Sequence, residues 1–428
     1  MVKYLKFFRI YYDKIIQSIA FYPSLISGAF LLLSIIMLFA DNLIAVKKIK
    51  EMIPPLFVTD TEAARTMLSS LIGGILSLTV FSFSMVMVVL NQASSNFSPR
   101  LLPGLISNKK HQIILGVYIG TLLYCITTLL FLGAYGIDKE SMRISVSLGA
   151  LFGFLCVLFF AYFIHNISTA IQIDQIVKKI SKESRDALEN RRRFDKEFRV
   201  TSLNRDTSNW QIIKSDTNGY FRGFHPKYLP KDYDAQENII KVLPYEGQYI
   251  WKEEIIFRIK ESIEKSKVKD VKKATIFSSD RLDRDDEISG LIKLMEVAVK
   301  AMSPGINDPG TALDAITKIF EIFHKILKFP PESIIKYDRN NIIVAKKRIS
   351  TSALFSMILQ PIRSYAKKDC VVMTMLIRSL QNLYENISVI PADKNAIENE
   401  LKAIKIDIEQ NIENTMDKQK ILKQLLSP

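Results

Sequence analysis

The sequence predicts an α-helical membrane domain with four transmembrane helices, followed by a cytoplasmic α+β domain. Two observations predict this fold class. Four long stretches near the N-terminus contain no charged side chain, and the residues after them carry most of the charge. The uncharged stretches are residues 15–40, 66–99, 112–137 and 144–161. Each holds an apolar run close to the ~20 residues that a helix needs to cross the hydrocarbon core of a bilayer. We therefore place the transmembrane domain at residues 1–165.

The composition agrees with a protein whose main partner is the lipid bilayer. The 428 residues include 58 Lys and Arg against 44 Asp and Glu, a net charge of +14. In a soluble protein this excess would indicate nucleic acid. Here the cytoplasmic ends of membrane helices and anionic lipid headgroups explain it better, and we expect no nucleic-acid partner. The three cysteines, Cys125, Cys156 and Cys370, do not form a disulfide framework or a metal cluster.

Positive charges predict the orientation of the spans. They concentrate before the first span, between the second and third, and after the fourth, which all lie on one side if four helices cross. The positive-inside rule assigns that side to the cytoplasm, so both termini should be cytoplasmic. Lys47, Lys48 and Lys50 are exceptions on the opposite side, where acidic residues accompany them. The charges that set the orientation are Lys3, Lys6, Arg9 and Lys14, then Arg100, Lys109 and Lys110, then Lys178, Lys179, Lys182, Arg185 and the arginines at 191–193.

The second span carries small and polar residues close to one helical face, and its cytoplasmic end is rich in amides. Small residues let membrane helices approach closely, so helix packing is one interpretation. The other is a water-facing surface along a pore, because hydroxyls and amides supply the donors and acceptors of polar constrictions. The candidate pore-lining residues are Ser70, Gly73, Ser77, Ser84, Asn91, Gln92 and Ser95.

Residues 166–205 predict a helical stalk or linker between the membrane and soluble parts. The helical spacing of apolar residues continues beyond the fourth span through Ile167, Ile171, Ile176 and Ile180. We expect a helix that runs without a break into the charged stretch at 178–193. The stalk would then link the two parts of the chain directly.

Two patterns follow in the soluble part. Residues 206–260 contain short runs rich in β-branched and aromatic residues, separated by Gly, Pro and Asn turns, and predict a small β-barrel or sandwich. From residue 261 to 428 the apolar spacing becomes helical and predicts a helical bundle. Later helices should cover residues 351–366, 370–386 and 394–425.

A Pro- and Gly-rich segment separates two of these helices. Pro304 and Gly305 should end the first helix, and Asp308 followed by Pro309 should start the second as N-cap and first helical residue. One interpretation is a rigid corner between two helices. The other is a ligand site, in which exposed amides and the Asn307 side chain bind an anion or polar ligand at a helix N-terminus.

The same segment carries a resemblance to a known family. Ser303, Pro304, Gly305, Ile306, Asn307, Asp308 and Pro309 resemble the signature of a bacterial family of predicted multi-pass membrane proteins, classed as a domain of unknown function. Arg281, Asp286, Gly290 and Leu291 match a second element of that family, whereas Leu282 and Asp285 depart from it. Residues 82–84 and 92–100 resemble its second span. The resemblance implies four spans, a cytoplasmic domain and a location in the bacterial cell membrane, but no reaction or substrate.

No pattern in the sequence indicates an enzyme. The four histidines are scattered, and the motifs of zinc hydrolases, serine hydrolases, P-loop proteins and Rossmann folds are missing. We expect no catalytic residue, cofactor or metal. Two function classes remain. One is a homo-oligomeric channel with a cytoplasmic gating or sensing domain, whose ligand is unknown. The other is a membrane-anchored scaffold or signalling protein whose cytoplasmic domain recruits a partner.

Overall fold

The chain folds into two compact units in a computed structural model, residues 1–172 and residues 173–428. The structure describes residues 18, 20–40, 58, 60–96, 109–132, 143–170, 172–197, 206–230, 238–280, 287–337, 341–386 and 390–426. The division between the units lies close to the predicted end of the transmembrane domain at residue 165.

The described part of the first unit consists of apolar helices. They are α1 (Phe21–Ala40), α2 (Thr61–Asn96), α3 (Lys109–Leu132) and α4 (Arg143–Ala170). The central helix is α3, which packs against each of the other three. Its large side chains Tyr118 and Tyr124 are fully buried, and the hydroxyl of Tyr124 donates a hydrogen bond of 2.9 Å to the carbonyl of Ser145 on α4.

Glycines four residues apart allow the closest helix contacts in this unit. A Cβ atom added at Gly120 of α3 would lie 2.8 Å from the ring of Phe30 on α1, and one added at Gly116 would lie 3.0 Å from Pro23 on α1. On α4, Gly149 and Gly153 approach leucine side chains of α2 in the same way. This spacing is the small-xxx-small pattern of packed membrane helices. The contacts inside the unit therefore use glycines of α3 and α4.

Three helices of the described residues are long and apolar enough to cross a membrane. They span Thr61–Gln92, Lys109–Leu132 and Ile144–Ser168. The first apolar helix is shorter by this measure and extends over Phe21–Met37. The four predicted spans thus correspond to four apolar helices, of which three reach the length of a span.

The second unit begins with α5 (Ile173–Glu197), and here the prediction of an unbroken stalk is wrong. Helix α4 ends at Ala170, and Gln172 is not helical. Two further helices of the second unit, α7 (Glu287–Ala301) and α8 (Pro309–Ile326), pack against α5. Of the apolar residues that suggested a continuous helix, Ile176 and Ile180 are buried on α5, Ile167 is buried in the first unit, and Ile171 lies outside the described residues. The buried apolar side chains of α5 are Ile176, Val177, Ile180 and Leu188.

Eight strands in the described residues form two sheets. They are β1 (Gln211–Lys214), β2 (Gly219–Phe224), β3 (Ile239–Val242), β4 (Tyr249–Ile250), β5 (Ile255–Ile259), β6 (Thr275–Ser278), β7 (Glu332–Tyr337) and β8 (Ile342–Lys347). One sheet has the order β1-β5-β3-β8-β7, and the other has the order β4-β2-β6. Phe221 and Ile250 from the smaller sheet share one buried core with Ile240, Phe257 and Val344 from the larger.

The strands differ from the prediction in their extent. Three of them lie beyond residue 260, where the sequence predicted only helices. Strand β8 pairs in parallel with β3, so that Ile239 lies opposite Ile343. Such a pairing between distant segments leaves no mark in the local pattern of either strand. The described strand pairs form two sheets rather than a closed ring.

The remaining helices agree with their predicted positions, apart from one break. Arg348, just after β8, forms a buried ion pair of 3.0 Å with Asp393, which ties the sheet to the helices. The predicted helix at 394–425 is interrupted at Ile412, where the backbone becomes extended. The short helix after β5 is α6 (Lys265–Lys273), and the last four are α9 (Thr351–Ala366), α10 (Cys370–Asn386), α11 (Pro391–Asn411) and α12 (Thr415–Leu426).

Candidate functional site

The predicted polar stripe of α2 faces away from the other helices of its unit. The candidate residues Ser70, Gly73, Ser77 and Ser84 are all exposed, as are Asn91 and Gln92 at the end of the helix. The side chain of Ser95 lies outside the described residues. The buried positions of α2 occupy the opposite face and are Ala64, Leu68, Ile75, Ser82 and Val89. Among the described residues, the stripe therefore takes no part in the packing of the first unit.

The hydroxyl groups of the stripe are bonded to their own helix. The Oγ atom of Ser77 donates to the carbonyl of Gly73, and that of Ser84 donates to the carbonyl of Val80, both at 2.9 Å. Their oxygen atoms remain exposed as acceptors. A Cβ atom added at Gly73 or at Gly74 would meet no atom within 4 Å. These glycines thus differ from those of α3 and α4, which contact neighbouring helices.

Large apolar side chains flank the stripe. Leu76, Val80, Phe83 and Met87 lie beside it on α2 and are each more than half exposed. Such side chains are typical of a surface that faces lipid. Phe81 and Val88 lie on the stripe itself, at one-turn spacing from Ser77 and Ser84. The exposed surface of α2 thus combines a lipid-like face with a face of alternating polar and apolar residues.

The Pro- and Gly-rich motif forms a tight corner between α7 and α8. The amides of Ile306 and Asn307 donate to the carbonyl of Ser303 at 3.0 and 2.9 Å. The amide of Asp308 donates to the carbonyl of Ala301 at 2.8 Å. Asn307 adopts a positive φ of 49°, which Asn tolerates better than most residues. Pro304, Gly305, Asn307 and Asp308 are exposed at the tip, and Ser303 and Pro309 are half-buried.

Asp308 caps α8, as the sequence predicts. Its carboxylate accepts hydrogen bonds from the amide of Thr311 at 3.1 Å and from the Thr311 hydroxyl at 2.6 Å. These two bonds hold the pKa of Asp308 below its usual 3.8. The carboxylate already takes the place that an external anion would occupy at this helix N-terminus. The geometry therefore favours the rigid corner over the anion site.

A further residue of the motif region has a packing role that sequence reasoning missed. A Cβ atom added at Gly290 of α7 would lie 1.8 Å from the Oγ atom of Ser184 on α5. Only glycine lets the two helices approach this closely. The matching residues Arg281 and Asp286 lie outside the described residues. The signal in the sequence was the glycine itself, because an isolated glycine inside a helical stretch costs helix stability.

The described part of the second unit offers little room for a small-molecule ligand. A cavity of about 40 Å³ lies between the sheet and the helices and is lined in part by Phe221, Glu246, Glu287 and Arg348. Ligand pockets usually measure about 300–1,000 Å³, so this cavity has room only for a few water molecules. The described residues hold no group of three or more His, Cys, Asp or Glu side chains that could bind a metal ion.

Comparison with known proteins finds one family. The model of a family described as "Predicted membrane protein (DUF2254)" matches residues 16–382, which is most of the chain. No curated protein and no solved structure matches this sequence.

Proposed function

The chain belongs to the DUF2254 family of predicted membrane proteins, and we propose that it forms a homo-oligomeric channel whose path is lined by α2. One observation carries the proposal. The polar stripe of α2 faces away from the other described helices of its unit, while large apolar side chains dominate the adjacent exposed flank. The stripe alternates polar residues with Phe81 and Val88, whereas the adjacent flank is dominated by large apolar side chains, so the stripe suits a different environment. Other copies of the chain, with water between them, would supply it.

The chemistry of the stripe suits a path without strong charge. Ser77, Ser84, Asn91 and Gln92 offer oxygen acceptors and amide donors, and α2 from Thr66 to Asn96 contains no ionisable side chain. Transporters that couple to ions or protons generally need intramembrane charges, whereas channels can use hydroxyls and hydrophobic constrictions. In a ring of copies, Phe81 would form an apolar constriction between the Ser77 and Ser84 levels. Such a constriction can gate by dewetting.

The proposal includes four spans and cytoplasmic termini. Helix α1 has 20 residues, which at ~1.5 Å per residue covers about 30 Å, the thickness of the hydrocarbon core. The positive charges then place residue 59 outside the cell and residue 107 inside. A cysteine introduced at Thr59 should react with an impermeant maleimide applied to intact cells, and one at Ser107 should not. Both positions lie outside the described residues. The reverse labelling pattern would contradict this topology.

The alternative is a membrane-anchored scaffold, in which the same stripe packs copies of the chain together without a path. The open space around Gly73 and Gly74 favours this second function, because small residues in membrane helices often serve close association. The soluble unit would then recruit a partner. The two functions differ in one measurable property, since only a channel conducts.

The test is flux and oligomer size measured on the same proteoliposomes. Ser77→Leu and Ser84→Leu should reduce ion flux several-fold and leave the oligomer intact, because the added side chains narrow and dry the path. Ser69→Leu is the matched control, since Ser69 is exposed on the flank of α2 shared with Leu76 and Val80. That variant, and Val80→Leu, should conduct normally.

Other results of this experiment would distinguish the channel from the scaffold. Loss of the oligomer in the stripe variants, with the controls intact, would support the scaffold. Wild-type protein that passes neither cations nor anions under voltage or membrane tension would contradict the channel. Intact oligomers with unchanged flux in Ser77→Leu and Ser84→Leu would exclude this face of α2 from the conduction path.

A further inference from the structure

An exposed aromatic cluster stands on the smaller sheet of the second unit. The ring of Tyr249 contacts both Tyr220 and Trp251 edge to face, with centroid distances of 5.0 Å in each case. Trp251 is 66% exposed and Tyr249 is 39% exposed. The other tryptophan of the chain, Trp210, is only 9% exposed. The exposed Trp251 side chain keeps a large apolar surface in contact with water. This exposure is unfavourable in free energy unless another surface covers the side chain.

The turn that carries Trp251 is held rigidly in place. The Trp251 amide donates to the carboxylate of Glu254 at 2.9 Å, and the Lys252 amide donates to the Asn218 side chain at 2.6 Å. The Glu253 amide donates to the carbonyl of Ser215 at 2.9 Å. Glu253 also adopts a positive φ of 68°, an uncommon conformation for a residue other than glycine. The exposure of Trp251 is therefore fixed by the fold rather than produced by a loose loop.

A lysine-rich helix adjoins this cluster. Lys272 near the end of α6 forms an ion pair with Asp216, which lies in the same turn as Asn218. Val271 of α6 is buried in the core, so the helix presents its lysines outward. Residues 264–273 contain five lysines and two acidic residues. At ~1.5 Å per residue, the lysine-rich face extends about 10 Å from Lys272 to the start of the helix.

The balance of charge on this surface is positive. Asp216 is paired with Lys272, Glu253 lies 3.9 Å from Lys214, and Asp270 is paired with Lys273. Among the described residues, the exposed lysines Lys252, Lys265 and Lys269 belong to none of the ion pairs. Three acidic side chains beside the cluster are thus paired, Glu254 and Glu264 are in none of the described ion pairs, and the lysines remain in excess.

We infer that the Trp251 cluster and the lysine face of α6 form a docking surface for the anionic headgroup region of the membrane that anchors this chain. Tryptophan and tyrosine favour the interface between headgroups and acyl chains, and lysines favour anionic lipid. Helix α5, which begins the second unit, starts only a few residues after the apolar helix α4. The second unit is thus tethered to a membrane helix, and a weak affinity suffices for a tethered surface.

The chain has only two tryptophans, so the fluorescence of Trp251 can be measured alone once Trp210 is replaced. The full chain carrying Trp210→Phe, with Trp251 as its single tryptophan, is placed in nanodiscs of phosphatidylcholine with or without phosphatidylglycerol. Lipids brominated near the headgroup end of the acyl chain should quench Trp251 strongly in discs with phosphatidylglycerol. Iodide in solution should quench it weakly. In the control variant Trp251→Phe, the buried Trp210 should respond to neither quencher.

The lysines are tested on the same background. Lys265→Gln together with Lys269→Gln should remove most of the bromolipid quenching in anionic discs and leave neutral discs almost unchanged. The reason is that each lysine near an anionic surface contributes about a fivefold factor to partition onto it. High salt should have the same effect as the substitutions. Circular dichroism of the variants should match the parent, because both side chains are exposed.

Two results would overturn the inference. Full quenching of Trp251 by iodide, with no effect of brominated lipid, would place the cluster in water. Protection from both quenchers that is lost when the oligomer is dissociated would show that another copy of the chain covers the cluster.

Discussion

At the scale of single residues, the corner after α7 shows which features can be predicted from the local sequence and which cannot. An N-cap carboxylate followed by proline is a local signal, and the sequence therefore predicted the start of α8 at Pro309. The positive φ of Asn307 follows from the same tight turn. The partner of Gly290 could not be predicted, because Ser184 lies far away in the chain and on another helix.

The first prediction concerns the cap. Asp308→Ala should destabilise the second unit by about 1 kcal/mol, because the amide and hydroxyl of Thr311 lose their acceptor. Asp308→Asn should cost much less, since the asparagine oxygen still accepts at the N-cap and only the negative charge is lost. Chemical denaturation followed by circular dichroism measures both. A loss of flux or binding in Asp308→Ala at unchanged stability would instead support the ligand site.

The pH dependence of the cap has a definite sign. The pKa of Asp308 is lowered in the folded chain, so the charged carboxylate stabilises the fold. This contribution is fully present above the unfolded pKa of about 4 and is lost as the pH falls through the lower folded pKa. The difference in unfolding free energy between the wild type and Asp308→Asn should therefore disappear only below about pH 4. An advantage in stability that does not decrease as the pH falls below about 4 would contradict the charge contribution.

At the scale of elements, glycine positions distinguish helix faces that pack inside the chain from those that do not. On α3, α4 and α7, an added Cβ atom would collide with a neighbouring helix, whereas Gly73, Gly74 and Gly305 have open space. The sequence predicts each of these helices, but a helical pattern alone does not identify the neighbour. For the same reason the apolar side of α5 was read as part of a stalk, although it packs on α7 and α8.

The second prediction tests the contact between α5 and α7. Gly290→Ala should cost about 1–3 kcal/mol, because the new methyl group overlaps the Ser184 side chain. Gly305→Ala is the matched control and should be nearly neutral, since nothing lies within 4 Å of its added Cβ atom and its φ is not positive. Ser184→Gly should recover part of the loss when combined with Gly290→Ala. Equal stability of the two alanine variants would mean that α5 does not pack closely on α7.

At the scale of the whole molecule, composition predicted the division into an apolar and a charged part, and the two units follow it. The strand order of the larger sheet could not be predicted from local sequence patterns. Strand β8 joins β3 in parallel across about a hundred residues of strands and helices, so the predicted β segment at 206–260 could not contain the full sheet. The stripe of α2 was visible in the sequence, but its direction depends on which faces α3 and α4 cover.

The last prediction asks where the soluble unit begins. A fragment starting at Ile173 should be monodisperse and unfold cooperatively, because it retains α5 and all of its contacts with α7 and α8. A fragment starting at residue 206, the predicted start of the β domain, should aggregate or melt at least 10 °C lower. Four buried apolar side chains of α5 are missing from it, and each stabilises the fold by about 1.5–3 kcal/mol. The combined loss is comparable to the ~5–15 kcal/mol that holds an entire domain folded. Size-exclusion chromatography and thermal melts of the two fragments measure the difference. If the shorter fragment is equally stable, the packing of α5 on α7 and α8 does not stabilise the second unit.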